Sequence, residues 1–222
     1  LAAMSELEGD GLAAEFERRG KMLRAAIRKN LYDANGNKLN YLLDHRGVVH
    51  PYHEALGVAF AGLSGVVSPS EMSRIVRGAY TSDFGIPCVY PSFPRFSTAQ
   101  PGRHNAIIWP FVNAFYADAA LQAGERDVFG SELRNMASLA IKYGPDNFQE
   151  VYNMTTGAPD GGWQRGEKWW LNPHQTWSAT GYLRLFLLDV FGINFSTEGI
   201  ALHPVGLSGC EQLELKEIAR RC

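Results

Sequence analysis

The feature that most constrains the fold of this 222-residue chain is a wide apolar stripe along residues 104–123. Apolar residues recur there in pairs every four positions, which is the spacing of one face of an α-helix. The members are Ile107, Ile108, Phe111, Val112, Phe115, Tyr116, Ala119 and Ala120. A second periodic segment, residues 127–143, follows closely. The two segments are predicted to be partner helices that share a core.

The same periodicity predicts four more helices, at residues 12–29, 52–63, 69–80 and 175–191. Six helices in pairs predict an all-α fold of helical hairpins. A segment near residues 199–204 predicts a short strand or extended stretch that leaves the helices. We therefore expect one helical domain over residues 1–195 and an extended tail over residues 196–222.

Two of the predicted connections are unusually long, at residues 81–103 and 145–173. The first holds four prolines, which prevent a helix because each lacks an amide N–H and clashes with the preceding turn. Loops longer than about 12–15 residues in a compact domain are usually functional. The chemistry of the protein is therefore expected in these two segments.

Composition excludes several classes of function. The net charge is −2, so the chain has no basic field for a nucleic-acid partner. No run of about 18 apolar residues predicts a membrane span. Three cysteines are too few and too widely spaced for a disulfide scaffold or a zinc ribbon. Phosphate-binding glycine loops and the Gly-x-Ser-x-Gly elbow of serine hydrolases are absent from the sequence.

The histidine-rich segment at residues 50–54 superficially resembles a metal motif. It lacks the His-Glu-x-x-His order that places two ligands on one helix face, and Pro51 stands where such a helix would begin. A polar helix entrance is the simpler interpretation, and no metal or organic cofactor is predicted.

Tryptophan is concentrated in one short stretch, because Trp163, Trp169, Trp170 and Trp177 are four of the five in the chain. Flat aromatic faces stack on the C–H faces of sugars, while carboxylate, amide and imidazole groups bind the hydroxyls. A sugar site is one interpretation of this stretch. A tryptophan-rich loop packed as a lid on the core is the other.

Glu150 lies near the start of the second long connection. A carboxylate at the mouth of a helical scaffold can be catalytic or simply solvated, and the spacing alone favours the solvated interpretation. The sequence patterns leave both open.

Several segments, taken in order, resemble the second half of the six-hairpin (α/α)6 glycosidases, the group of trehalase and processing α-glucosidase I. The resemblance covers most of residues 20–205. The matching segments are 53–60, 80–87, 91–93, the His-Asn-Ala-Ile-Ile-Trp-Pro-Phe run at 104–111, Glu-Val-Tyr-Asn at 150–153 with Gly157, Gln-Thr-Trp-Ser-Ala-Thr-Gly-Tyr at 175–182, and 199–204. The family implies a half toroid of six helices.

This resemblance also implies roles for particular residues. Glu150 matches the general base, which activates water for inversion at a small α-linked glycoside. The implied substrate-binding residues are His104, Asn105, Trp109, Tyr152, Trp163, Gln175 and Trp177, with Tyr90 and Glu54 as further candidates on neighbouring loops. An oligosaccharide or disaccharide is the expected partner.

An inverting glycosidase also needs a protonated carboxyl, roughly 6.5–9.5 Å from the base. In the family that acid is an aspartate upstream of the matching region, so it would precede Leu1. The chain is then expected to be the C-terminal half of a longer glycosidase, with the N-terminal half of the same barrel as its partner. In a complete chain, Asp44, Asp83 or Asp160 would have to serve as the acid.

Two other functions compete with hydrolysis. Related toroids use phosphate in place of water, but the carboxylate of Glu150 argues against a phosphorylase. A non-catalytic helical module that binds glycan or protein would also fit paired helices. The absence of a repeat of fixed period and the unequal loop lengths count against that module.

Overall fold

The computed structural model describes residues 1–143, 148–196 and 199–216, and helices form the body of this part of the chain. The seven α-helices are α1 (Ala2–Glu8), α2 (Ala13–Leu31), α3 (Ala55–Leu63), α4 (Pro69–Gly78), α5 (Pro110–Gln122), α6 (Arg126–Tyr143) and α7 (Thr176–Arg184). A π-helical segment, Leu185–Val190, continues α7. Each of the six predicted helices has a counterpart, and α1 is additional. None of the helices in these ranges is both long and apolar enough to span a bilayer.

The described residues also contain twelve short strands in six two-stranded antiparallel sheets. The pairs are β1 (Tyr32–Asp33) with β2 (Lys38–Leu39), β3 (Leu42–Leu43) with β4 (Val49–His50), β5 (His53–Glu54) with β6 (Val89–Tyr90), β7 (Ile107–Ile108) with β8 (Tyr152–Asn153), β9 (Trp163–Gln164) with β10 (Glu167–Lys168), and β11 (Ile193–Ser196) with β12 (Gly199–Leu202). The all-α prediction therefore holds for the body but misses these sheets. Strands of two residues are too short to show a period of two.

Two helices begin later than the hydrophobic pattern predicts. Helix α5 starts at Pro110, since a proline disfavours helical angles in the residue before it and Trp109 is extended at φ −124°. Helix α3 starts at Ala55, where the Glu54 carboxylate accepts hydrogen bonds from the amides of Leu56 and Gly57. In both cases the residues just before the helix join a small sheet.

Helix α5 is the centre of the fold, because it packs against α3, α6 and α7. Small side chains permit the close approach. A Cβ atom at Gly181 of α7 would lie 3.0 Å from the Cβ of Ala114 on α5. Nine residues of α5 are buried, whereas α2 buries none. The core therefore lies around α5.

The amino ends of α3, α5 and α7 lie on the same side of the body. Glu54, which caps α3, lines one groove together with His104 and Asn105, which precede α5. Trp109, the N-cap of α5, stacks near Trp177 in the first turn of α7, with ring centroids 6.1 Å apart. Three helix N-termini therefore point toward the same region, where they favour negative charge.

The segment that follows the helices forms a two-stranded antiparallel sheet rather than a single extended strand. Strands β11 and β12 pair from Ile193 with Leu202 to Ser196 with Gly199. The amide of His203 donates to the carbonyl of Gly192, which ties the hairpin to the end of the helical body. The division at residues 195 and 196 stays a prediction, and it falls inside β11. The predicted helix stop at residues 144–145 and Cys222 lie outside the described residues.

A buried carboxyl group connects α6 to the first long loop. The side chain of Glu132 is fully buried, accepts the amide of Ile86 at 3.0 Å, and accepts Nδ2 of Asn113 on α5 at 2.7 Å. Burial raises the pKa of Glu132 to about 7, although these hydrogen bonds act to lower it. Glu132 thus anchors the segment that leads to β6.

We expect Glu132→Gln to flatten the pH dependence of stability. The folded pKa is about 7 and the reference value is 4.5, so the folded state retains the proton and loses stability as the pH rises through 7. Between pH 5 and 8 the free energy of unfolding of the wild type should fall by about 2 kcal/mol more than that of the variant. Urea unfolding at several pH values measures this difference. Parallel pH profiles for the two proteins would contradict it.

Candidate active site

An open groove of about 300 Å³, called here the main groove, lies beside Glu54, the cap of α3, and beside His104 and Asn105, which precede α5. It lies between the loop at residues 91–105 and the hairpin of β9 and β10. Its lining residues are Tyr41, Glu54, Val89, Phe93, Arg95, Phe96, Arg103, His104, Asn105, Trp163 and Gln164. A second depression of about 570 Å³ shares Arg95, Phe96, Trp163 and Gln164 with it. The long loops therefore form a polar and aromatic cleft.

Glu150 lies beside the main groove and is not a freely solvated side chain. Its Oε1 accepts Nη2 of Arg103 at 2.6 Å, and its Oε2 accepts the amide of Asn172 at 3.0 Å. The backbone amide of Glu150 also donates to the carbonyl of Asn172 at 2.8 Å. Side-chain exposure is 14% for Arg103 and 12% for Glu150. The solvated interpretation of Glu150 is therefore wrong, and its carboxylate is fixed.

The Arg103 guanidinium joins three stretches of chain. Besides Glu150, it binds the carbonyls of Gly161 and Trp170, at 3.1 and 2.9 Å through Nη1. Its Cζ atom lies 5.3 Å from the ring centre of Trp169. Gly162 permits the crossing, since its φ is +70° and a Cβ there would lie 2.7 Å from the Cα of Arg103. The tryptophan-rich segment is thus fastened to the 91–105 loop.

Aromatic rings continue from His104 toward α7. The imidazole of His104 stacks on Trp109 with centroids 5.1 Å apart, and Trp109 is nearly parallel to Trp177 at 6.1 Å. Trp177 remains 57% exposed. The pKa of His104 is lowered by burial and by the charge of Arg103, while Glu150 opposes the shift. The neutral imidazole is therefore favoured, with a nitrogen able to accept a hydrogen bond.

Asn105 and Trp163 both line the main groove. Asn105 is buried, and its Oδ1 accepts the amide of Phe93 at 2.9 Å, while its Nδ2 has no hydrogen-bond partner in the structure. Trp163 is half-buried, and its backbone pairs with the chain at Pro101 and Arg103. These two residues join Glu54 and His104 as predicted site residues that share the groove.

Glu54 contributes a carboxyl group to the groove wall. Burial raises the pKa of Glu54 above its usual range, while the bonds from the amides of Gly57 and Leu56 oppose this. Those amides lie 2.6 and 3.2 Å from the two carboxyl oxygens. Glu54 therefore caps α3 with both oxygens while it borders the cleft.

Five of the predicted substrate-binding residues do not line the main groove: Trp109, Trp177, Tyr152, Tyr90 and Gln175. Tyr152 is fully buried, and its hydroxyl accepts the amide of Gln149 at 3.1 Å. Tyr90 stacks on Tyr80 with centroids 3.9 Å apart. Gln175 caps α7 and donates its backbone amide to Phe148. These residues support the site from behind or beside it.

The three aspartates considered as alternative acids are not placed for that role. Asp44 accepts the amides of Val48 and Arg46 in a turn, and the bond from Val48 is the main cause of its lowered pKa. Burial acts to raise the pKa of Asp160, but its pairing with Lys168 at 2.5 Å and other hydrogen bonds lower it overall. Asp83 is exposed. An acid that works near neutral pH needs a raised pKa instead.

The histidines of the 50–54 segment point to different neighbours. His50 pairs with Asp44 at 3.3 Å, and the His53 ring lies edge-on to Tyr116. Among the residues that the structure describes, no three His, Cys, Asp or Glu side chains are grouped to hold a metal ion.

Arg103 and Arg95 are groove residues that the sequence patterns did not identify. Arg103 directly precedes the His-Asn pair of the matching segment, and that position was the available signal. Its partner is 47 residues away in sequence, so the ion pair itself could not be recognised before folding. Arg95 lies within a proline-rich loop with no periodic pattern.

Solved structures with the same fold include three glycan-active proteins. A GH63 mannosylglycerate hydrolase from Thermus thermophilus, in complex with glucose, is 22% identical with a TM-score of 0.59, over 83% of this chain and 43% of that one. A sialidase is 17% identical with a TM-score of 0.70, over 92% and 20%. A rhamnosidase from Klebsiella oxytoca with rhamnose bound is 18% identical with a TM-score of 0.55, over 83% and 30%. The chain spans less than half of each of these structures.

No curated protein sequence matches the chain significantly. A family model does, and it covers α1 to α6, both long loops and the start of α7. This model is the mannosylglycerate hydrolase MGH1-like glycoside hydrolase domain, and it matches residues 1–178. The match includes Glu150 and the whole main groove. The chain therefore belongs to the family of MGH1-like glycoside hydrolase domains.

Proposed function

We propose that this chain carries the general-base side of the active site of a glycosidase that cleaves a small α-linked glycoside with inversion. The observation that carries the proposal is the fixed carboxylate of Glu150 beside the aromatic main groove. A carboxylate has about four lone-pair sites, and only two bonds to Glu150 are made by protein donors. It retains capacity to accept a proton from an attacking water.

Sugar binding is assigned to the rings and polar groups around this carboxylate. The faces of Trp163 and Trp109 are suited to the apolar C–H face of a pyranose, and Trp177 extends that surface. His104 and the unpaired Nδ2 of Asn105 are suited to hydroxyl groups. No organic cofactor is required by this chemistry.

We propose further that the helical body is about half of a six-hairpin (α/α)6 toroid, as in the trehalase and processing α-glucosidase I group. Support comes from the shared orientation of α3, α5 and α7. Their outer surface exposes a row of rings, Phe60, Phe115, Phe111 and Trp177, with successive centroids 5.1, 5.4 and 5.6 Å apart. A row of apolar rings of this kind is a typical packing surface. The N-terminal half of the same barrel is the proposed partner there.

The general acid is proposed to come from that same half. Asp44 and Asp160 have lowered pKa values, and Glu54 uses both of its oxygens to cap α3. The two aspartates therefore favour the ionised form, and Glu54 is held by the amides of its own helix rather than directed at a leaving oxygen. The chain by itself should therefore cleave only substrates whose leaving group needs no proton.

The substrate class we propose is an α-glycoside with a carboxylate on its aglycone, such as mannosylglycerate. The second depression is lined by Arg95 and Arg165 as well as Gln100 and Gln164. Neither arginine has an acidic partner in the described structure, and Arg95 lies over the Phe96 ring at 4.9 Å. Two unpaired cations beside a sugar-sized groove suit a negatively charged aglycone.

One observation favours a non-catalytic glycan-binding module instead. Both Glu150 oxygens have donors, so the carboxylate could serve only to hold the loops together. The first experiment below separates this function from hydrolysis.

The first prediction concerns α-glycosyl fluorides, since fluoride departs without protonation and a missing acid is not limiting. The wild-type chain should release fluoride from α-mannosyl or α-glucosyl fluoride, and Glu150→Gln should lower the rate by on the order of 10²–10⁴-fold, the usual contribution of a general base. Fluoride-electrode assays measure the rate. Proton NMR should show the β-anomer as the first product, as inversion requires.

Glu167→Gln is the matched control, because Glu167 is an exposed carboxylate in the adjoining hairpin. It should retain the wild-type rate. Equal rates for wild type and Glu150→Gln would remove Glu150 from the mechanism. Sugar binding without fluoride release by any of these proteins would support the binding module.

The second prediction concerns the aglycone. Arg95→Met and Arg165→Met should each weaken binding of mannosylglycerate about 3–5-fold and leave methyl α-mannoside unaffected, since a solvent-exposed ion pair contributes up to about 1 kcal/mol. Calorimetric titration with both ligands measures the ratio. Arg46→Met serves as the control, because Arg46 lies on an exposed turn and lines neither depression. Equal losses for the neutral and the charged ligand would contradict the proposal.

A further inference from the structure

The side chain of Arg103 connects Glu150 to the wall of the main groove. It is the direct partner of Glu150, and it also lines the main groove. Its guanidinium makes three hydrogen bonds, to one carboxylate and two carbonyls, all between 2.6 and 3.1 Å. A solvent-exposed surface arginine would not donate hydrogen bonds to three acceptors from separate segments of the chain.

We infer that Arg103 is a positioning residue, which fixes the orientation of the Glu150 carboxylate and holds the tryptophan hairpin against the main groove. The inference rests on the proposed function, because it assigns Arg103 a task in the chemistry of Glu150. Arg103 itself is not assigned any contact with the reacting atoms.

The geometry explains why an arginine is required. One terminal nitrogen, Nη2, binds Glu150, and the other, Nη1, binds the carbonyls of Gly161 and Trp170. The planar fork separates these bonds at fixed angles, so the position of the carboxylate is tied to the position of the hairpin. A lysine would supply the charge at one point but could not maintain the same three bonds.

The second fixed contact of Glu150 completes the arrangement. Asn172 donates its backbone amide to Oε2 while the Arg103 bond holds Oε1. With both oxygens held, rotation of the carboxylate about its last torsion is blocked. Loss of Arg103 would leave one contact, about which the carboxylate could swing. A misplacement of about 1 Å at a catalytic group can cost on the order of 10²-fold in rate.

The test uses the variants Arg103→Ala and Arg103→Lys with two readouts. The first is independent of activity: the side-chain carboxyl ¹³C resonance of Glu150, identified by its disappearance in Glu150→Gln. We expect this resonance to move toward the position of exposed glutamates in Arg103→Ala, and to return when millimolar guanidinium chloride is added. An unmoved resonance would overturn the inference whether or not the chain hydrolyses anything.

The second readout is fluoride release from an α-glycosyl fluoride. Arg103→Ala should lower kcat by about 10–100-fold with little change in KM, because orientation rather than binding is lost. Guanidinium should restore part of kcat. Arg103→Lys should remain impaired despite its charge. An unchanged kcat, or equal activity of the lysine variant and the wild type, would refute the positioning role.

Arg184→Ala controls for the loss of a partly buried ion pair. Arg184 pairs with the buried Asp118 at 2.5 Å on the packed helices, outside the main groove. The Arg184→Ala substitution should lower the melting temperature without changing the Glu150 resonance or kcat. If Arg184→Ala lowered kcat as much as Arg103→Ala does, a general loss of stability would explain both. If the wild type is inactive on the glycosyl fluorides but Arg103→Ala still moves the Glu150 resonance, the proposed function fails while the positioning role of Arg103 stands.

Discussion

The close packing of α5 against three other helices is the constraint on which the rest of the structure depends. Small residues make it possible, since a Cβ at Gly181 of α7 would lie only 3.0 Å from the Cβ of Ala114, closer than carbon atoms normally pack. The same helix supplies Asn113 to the buried Glu132, which in turn holds the amide of Ile86. Central packing, a buried carboxyl and the course of the first long loop are therefore linked. Because Glu132 holds the amide of Ile86, the chain that leads to the 91–105 loop is fixed relative to α5.

The cleft forms where this loop meets the second long connection. Over their described residues the two loops contain only two-residue strands, so specific polar bonds must define much of their arrangement. Arg103 contributes three of these hydrogen bonds, to acceptors in residues 150, 161 and 170. The family model that identifies a glycoside hydrolase domain, residues 1–178, includes both loops. A fixed carboxylate among aromatic rings is the arrangement that hydrolysis of a glycoside needs.

The helices were predictable because each carries a long periodic pattern and recognisable ends. Ser68 and Glu71 illustrate this, since they form the capping box that the local sequence indicates. The predicted starts of α3 and α5 were too early, because the hydrophobic pattern continues into the residues before Ala55 and Pro110, which join small sheets. Of the predicted site residues, Glu54, His104, Asn105 and Trp163 line one groove, whereas Tyr152 lies in the core. Tyr152 is two residues from Glu150 in the sequence, and that spacing could not reveal that its ring packs in the core.

The sequence by itself determined the paired helices, the two long loops and the resemblance to glycosidases. Local patterns suffice for these because hydrophobic period, proline density and short motifs act within a few residues of one another. Only the tertiary structure decided that Glu150 is held rather than solvated, and that Arg103 holds it. The reason is physical: a buried carboxylate is stable only with donors around it, and those donors come from residues 103 and 172, which folding alone brings together.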